Sequence, residues 1–221
     1  ELAALGGCFD LATTGEVRLV ERAGVPAGRC IHTHPIKRER DISEALDYGV
    51  TTFVADNADE IAKFVPFRDR ARLLLRVSFR APGAVSDLSK KFGCRPEDAL
   101  ALLLHARRLG VGVAGLSFHV GSQVPSPDMH VAAIQACAGL IVAARAQGLP
   151  LGVLDIGGGF AVPYLRPVPP IDVFCGPIRA ALATLPGDVR VIAEPGRFIV
   201  APAGIAVTSV MGRAERNGRM W

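Results

Sequence analysis

Three short clusters in this chain carry groups that could do chemistry. Gly157-Gly158-Gly159 is a run without side chains, so backbone N–H groups there are open to close approach by an anion. Phosphate is the obvious ligand for such a run, and a plain tight turn is its other common use. The run matches neither the P-loop pattern nor GxGxxG spacing. Glu194-Pro195-Gly196-Arg197 joins a carboxylate to a guanidinium suited to bidentate phosphate binding. A buried glutamate needs a cationic partner, so this pair reads either as a binding site or as a structural ion pair. Ser117-Phe118-His119-Val120-Gly121-Ser122 adds an imidazole and a hydroxyl, although a lone histidine is more often structural. Asp10, Glu16 and Arg76 contribute further charge. The remaining histidines, at 32, 34, 105 and 130, show no metal-ligand spacing, and no metal is expected.

The elements that must hold these groups follow from hydrophobic pattern. Apolar, β-branched runs recur at residues 7–10, 29–33, 51–55, 73–78, 111–119, 152–156 and 189–194, as in buried parallel strands. Helical spacing fills the intervals at 16–22, 41–48, 58–65, 96–109, 129–147 and 173–185. Gly24, Gly49, Gly110 and Gly148 each stand where a left-handed helix cap is wanted. Repeated βα units leave two architectures, a doubly wound open sheet or a closed eight-stranded barrel. Every polar cluster falls at the C-terminal end of a strand, which is where a (β/α)8 TIM-type barrel builds its site. Seven strands are one short of eight, so the reading is an α/β barrel whose first strand is missing. Strand-like alternation without helices over 197–210 reads as an exit into an all-β domain, which gives a barrel at 1–200 and the truncated start of a β domain at 201–221.

Bulk properties narrow the function. The 25 basic and 21 acidic residues are interspersed, and the short basic clusters Lys37-Arg38 and 68–72 read as solvated positions, so no nucleic-acid partner is implied. Five single cysteines form no disulfide framework. No signal peptide and no apolar run of about 18 residues is apparent, which points to a cytoplasmic protein without a membrane partner.

Taken in order, Cys8 to Ala12, Lys91-Phe92-Gly93, Ser117 to Ser122 as SFHVGS, Leu154 to Phe160 as LDIGGGF, and Ala193 to Arg197 as AEPGR resemble the ornithine decarboxylase family of pyridoxal-phosphate enzymes. The resemblance covers nearly the whole chain. It implies an alanine-racemase-type barrel followed by a β domain, with pyridoxal 5'-phosphate as cofactor, an amino acid as substrate and a homodimer as the full-length form. It further implies that Glu194 pairs with the pyridine nitrogen and that His119 stacks on the ring, the two catalytic assignments. Gly157, Gly158, Gly159, Gly196, Arg197 and Ser122 would surround the phosphate, and Arg76 would help fix the ring through its oxygen. Asp10 and Glu16 would join the polar network nearby.

Departures from the family's pattern bear equally on function. The family's Schiff-base lysine lies on a strand upstream of the Phe-Asp pair, and Lys37, Lys63, Lys90 and Lys91 are the only lysines here. None fits that position, so the chain alone is expected to be inactive. The family's catalytic cysteine, substrate-binding aspartates and phosphate-binding tyrosine would follow residue 221. The implied reaction is decarboxylation of a basic amino acid, ornithine to putrescine first among them, as in polyamine biosynthesis. Lysine, arginine, diaminopimelate and carboxynorspermidine decarboxylases share the same cradle, and a non-catalytic regulator is the competing class.

Overall fold

The structure is a computed structural model, and it describes residues 1–80, 88–164 and 167–220. Seven parallel strands, β1 (Phe9–Leu11), β2 (Cys30–His32), β3 (Thr52–Ala55), β4 (Arg72–Val77), β5 (Val113–Phe118), β6 (Val153–Asp155) and β7 (Arg190–Ile192), lie side by side in sequence order. That order arises because each strand is followed by a crossover helix that returns the chain in the same direction. The crossovers are α1 (Thr14–Arg22), α2 (Glu39–Tyr48), α3 (Ala58–Ala62), α4 (Pro96–Arg108), α5 (Asp128–Ala146) and α6 (Ile171–Leu182). The glycines expected to stop α1, α2, α4 and α5 all have positive φ. Among the described residues β1 and β7 do not pair, so the curled sheet is a part-barrel with two free edges.

Burial on both faces of the sheet follows from the continuous apolar runs. Phe53, Phe64, Ile42, Leu73, Leu75 and Leu103 are all buried in the main hydrophobic core, and Leu74 is buried as well. At about 25 cal/mol per Å² of apolar surface, burial of this kind is the main force holding the layers together. The cysteines are all free.

One expectation fails. The alternation at 197–210 does not form strands: Gly196–Val200 is a short helix, α7, and a 3-10 turn follows at Ala201–Ala203. Phe198 packs on the core while its neighbours Ile199 and Val200 stay exposed, so apolar residues that look like an alternating strand serve one turn of helix. Regular pairing resumes only in a small hairpin, β8 (Glu215–Arg216) against β9 (Arg219–Met220). The helix α5 is long and apolar enough, by length and composition, to cross a membrane, although His130, Gln135 and Arg145 interrupt its apolar residues. It packs against α4, α6 and β5, and its inward face is His130, Ala133, Ile134, Cys137, Ile141 and Ala144.

Candidate active site

The residues that end β4 to β7 converge on one side of the sheet. A small internal cavity of about 10 Å³ is lined by Thr33, Arg76, Ser117, His119, Asp155 and Glu194, among others. A cavity of about 250 Å³ adjoins it, lined by His119, Ser122, Gln123, Gly158, Gly159, Phe160, Glu194, Gly196 and Arg197. His119 and Glu194 belong to both walls. The two cavities therefore form one cleft at the C-terminal rim of the strands.

At the inner end stand two carboxyls. Asp155, the last residue of β6, is almost fully buried, and Glu194 follows β7 two residues beyond the Asp155–Ile192 register pair. Burial pushes Glu194 up to about 9, and the neighbouring Asp155 and Asp10 push it further in the same direction. Asp155 is raised to about 7, again chiefly by burial. Two carboxylates cannot both ionise at close quarters in a low dielectric, so near neutral pH the pair retains a proton. Glu194 Oε1 and Asp155 Oδ2 are buried with no donor to them from elsewhere among the described residues, so the retained proton lies between the two side chains. Asp10 lies on β1, at a free edge of the sheet. Lost solvation raises it to about 6, and the hydroxyl of Thr33 donates to its Oδ1.

Arg76, on β4, is the cation among these acids; its charge lowers the pKa of Asp10, Asp155 and Glu194. Its guanidinium lies over the ring of Phe92, 5.2 Å from the centroid. His119 is half-buried and depressed to about 4, by burial first and by Arg76 second, so the ring is neutral. Its Nδ1 accepts from the Gly121 N–H at 3.0 Å, which puts the ring proton on Nε2.

The outer end is built by the glycine run. A Cβ on Gly157 would lie 2.2 Å from the Phe118 carbonyl oxygen, one on Gly158 would lie 2.7 Å from that of Glu194, and one on Gly159 would lie 2.6 Å from that of Gly121. The run thus threads between the loops after β5 and β7, and no side chain fits at any of the three positions. Asp155 Oδ1 accepts from Gly157 N–H at 2.9 Å, and Gly157 C=O accepts from Glu194 N–H at 2.8 Å. Carboxyl pair and glycine run are therefore one hydrogen-bonded unit. On the cavity wall, Arg197 donates to the Tyr164 hydroxyl at 3.1 Å, the one hydrogen bond its guanidinium makes among the described residues.

Comparison with known proteins decides what this arrangement is. Residues 1–201 match the family of the pyridoxal-dependent decarboxylase, pyridoxal binding domain. The chain belongs to this decarboxylase family. The lysine/ornithine decarboxylase of Selenomonas ruminantium is 36% identical over 100% of this chain and 56% of its own length. Mouse ornithine decarboxylase is 35% identical over 96% of this chain and 46% of its own. The chain thus spans about half the length of the curated relatives it matches. A crystal structure of lysine/ornithine decarboxylase from Vibrio vulnificus, complexed with putrescine, superposes with a TM-score of 0.87 at 52% identity, covering 100% of this chain and 58% of that one. Antizyme inhibitor 2 of Xenopus laevis is also similar, 34% identical over 97% of this chain and 47% of its own length.

The decarboxylase domain's residues fit pyridoxal 5'-phosphate. A protonated ring nitrogen would satisfy the orphaned oxygens of Glu194 and Asp155, and the glycine run with Arg197 and Ser122 offers donors for a phosphate one cavity away. Of the residues expected at the site, His119, Ser122, Gly158, Gly159, Glu194, Gly196 and Arg197 line the larger cavity and Arg76 the smaller. Gly157 and Asp10 line neither cavity: Gly157 donates its N–H to Asp155, and the charge of Asp10 acts on Asp155 and Glu194. Glu16 does not join: its Oε2 accepts from the N–H groups of Ala12 and Thr13, closing a capping box with Thr13 at the start of α1. Its charge reaches the site only through its effect on Asp10.

Sequence reasoning passed over Asp155, His130 and Thr33. A signal for Asp155 was present, since an acid closing an otherwise apolar strand needs a reason to be buried. No lysine lines either cavity. Lys37 is buried elsewhere, 3.0 Å from Glu60, with its Nζ donating to three carbonyls.

Proposed function

We propose that the full-length protein is a pyridoxal-phosphate-dependent decarboxylase of basic amino acids, with L-ornithine as first substrate and putrescine as product. The observation that carries this is the single cleft with a proton-sharing carboxyl pair at one end and an anion cradle at the other, bridged by His119. Bound there, pyridoxal phosphate supplies an electron sink for the pair of electrons left when CO₂ departs. Glu194 and Asp155 hold a proton at the ring-nitrogen end, and their high pKa values keep it there at neutral pH. His119, neutral and fixed by Gly121, offers a flat face that adds no charge beside the ring. Ser122, Gly158, Gly159 and Arg197 would bind the phosphate, and Arg76 would help fix the ring through its oxygen.

In this reading the tethering lysine belongs to sequence outside the 221 residues, and the chain on its own forms no covalent link to the cofactor. Residues 1–200 are the barrel and 201–221 the beginning of a β domain. That division is supported by the extent of the family match and by the exposed Ile205, Val207, Val210 and Met211, which call for a covering partner.

A second reading, a non-catalytic regulator, is raised by the similarity to antizyme inhibitor 2. It leaves unexplained why a regulator would retain the buried acid pair, which is costly unless used. Steady-state assays of the full-length protein with ornithine, lysine, arginine and diaminopimelate separate the possibilities. Ornithine is expected to give the highest kcat/KM. Release of CO₂ from none of the four would establish the regulator reading.

A further inference from the structure

His130 is a buried group that the decarboxylation chemistry does not use. It is the third residue of α5, has no exposed surface, and its ring sits 5.1 Å from Phe160 and 5.9 Å from Phe174, centroid to centroid. An imidazole in so apolar a slot costs free energy unless its hydrogen bond matters. Its Nε2 lies 3.0 Å from the carbonyl oxygen of Gly158. A carbonyl only accepts, so Nε2 carries the hydrogen; Nδ1 is buried with no hydrogen-bond partner among the described residues and burial lowers the ring's pKa, so the ring is neutral.

The consequence lies in peptide geometry. In a planar trans peptide the C=O and the following N–H point in opposite directions. Holding the Gly158 carbonyl back toward α5 therefore turns the Gly159 N–H away from α5, toward the cavity that Gly158, Gly159, Ser122 and Arg197 line. Among the described residues that N–H has no acceptor. Glu194 and Val124 N–H groups hold the flanking carbonyls of Gly157 and Gly159, but with no Cβ at either position, and φ +100° at Gly159, the residue types themselves do not fix the peptide between them. A rigid donor on α5 does.

We propose that His130 is a positioning residue for the phosphate-binding turn, setting the Gly158–Gly159 peptide so that its N–H faces the anion. The inference rests on the reading of this cleft as a phosphate cradle. The test uses the full-length protein and three probes: inorganic phosphate, pyridoxal phosphate and pyridoxal. His130→Phe keeps a ring in the slot and removes the donor. It is expected to weaken both phosphate-bearing probes about tenfold, the upper range for one lost hydrogen bond, and to leave pyridoxal within about twofold. The Gly159 amide, followed by ¹⁵N NMR, is expected to shift on phosphate addition in the wild type and to lose most of that response in the variant. His130→Gln retains an N–H donor and is expected to recover most of the affinity; it also serves if the Phe variant fails to fold.

Equal losses for pyridoxal and pyridoxal phosphate would overturn the inference by showing a general packing role, as would unchanged phosphate binding in His130→Phe. A wild-type protein that binds inorganic phosphate at Gly159 but not pyridoxal phosphate would sink the decarboxylase reading and leave the role of His130 standing.

Discussion

At the scale of single residues the cleft divides labour between its ends. On the proposed reading Glu194 would have little to do with grip: it would face the ring nitrogen and tune electron demand, its carboxyl set first by burial and then by Asp155. Arg197 is the opposite case, an exposed-edge guanidinium whose fork suits phosphate. Glu194→Gln in the full-length protein is accordingly expected to lower kcat by about 10²-fold or more while changing cofactor affinity little. Arg197→Ala is expected to weaken cofactor binding by roughly tenfold, the cost of a charge-assisted contact, and to lower kcat less at saturating cofactor. Cofactor titration and steady-state kinetics on the two variants read both effects, and the reverse pattern would exchange the two roles. Glu194 and Arg197 were legible in the sequence because their spacing is local. Asp155 was legible only as an acid closing an apolar strand: what makes it a partner of Glu194 is the β6–β7 register, a non-local pairing that residue type and spacing do not contain.

At the scale of elements, the loops after β5, β6 and β7 are locked by glycines that leave no room for a methyl group. Gly157 combines φ +63° with a backbone oxygen 2.2 Å from any Cβ, whereas a Cβ on Gly196 meets nothing within 4 Å. Gly157→Ala is expected to cost more than about 2 kcal/mol, the left-handed penalty plus the clash. Gly196→Ala is expected to stay within about 0.5 kcal/mol. Urea denaturation of both variants against the wild type measures the difference, and equal stabilities would mean that the run does not hold the loops as described. Most elements were readable in advance, since βα units declare themselves by apolar period and by glycine caps. The turn at Gly196–Val200 was misread because Phe198, Ile199 and Val200 are consecutive apolar residues, a pattern that suits strand and short helix alike. His130 stayed hidden for a related reason: it is one polar residue on an apolar helix, and its meaning depends on Phe160 and Phe174 from two other elements.

At the scale of the molecule, seven βα steps bring side chains from positions 10 to 197 to one rim, and the sheet's curl makes a single cleft from them. The parallel sheet explains why the working groups lie at strand ends or just beyond them: the crossover direction sends each strand's C-terminal end to the same side. The cleft is asymmetric in charge, with acids and a retained proton at the inner end and N–H donors with Arg197 at the outer end, and a ligand with a basic nitrogen at one end and a phosphate at the other matches it in one orientation only. The most direct test is a crystal structure of the full-length protein grown with pyridoxal 5'-phosphate. The phosphate is expected among Ser122, Gly158, Gly159 and Arg197, with the ring nitrogen within hydrogen-bond distance of Glu194 and the ring face against His119. A phosphate bound away from the glycine run, or a ring nitrogen turned away from Glu194, would contradict the assignment.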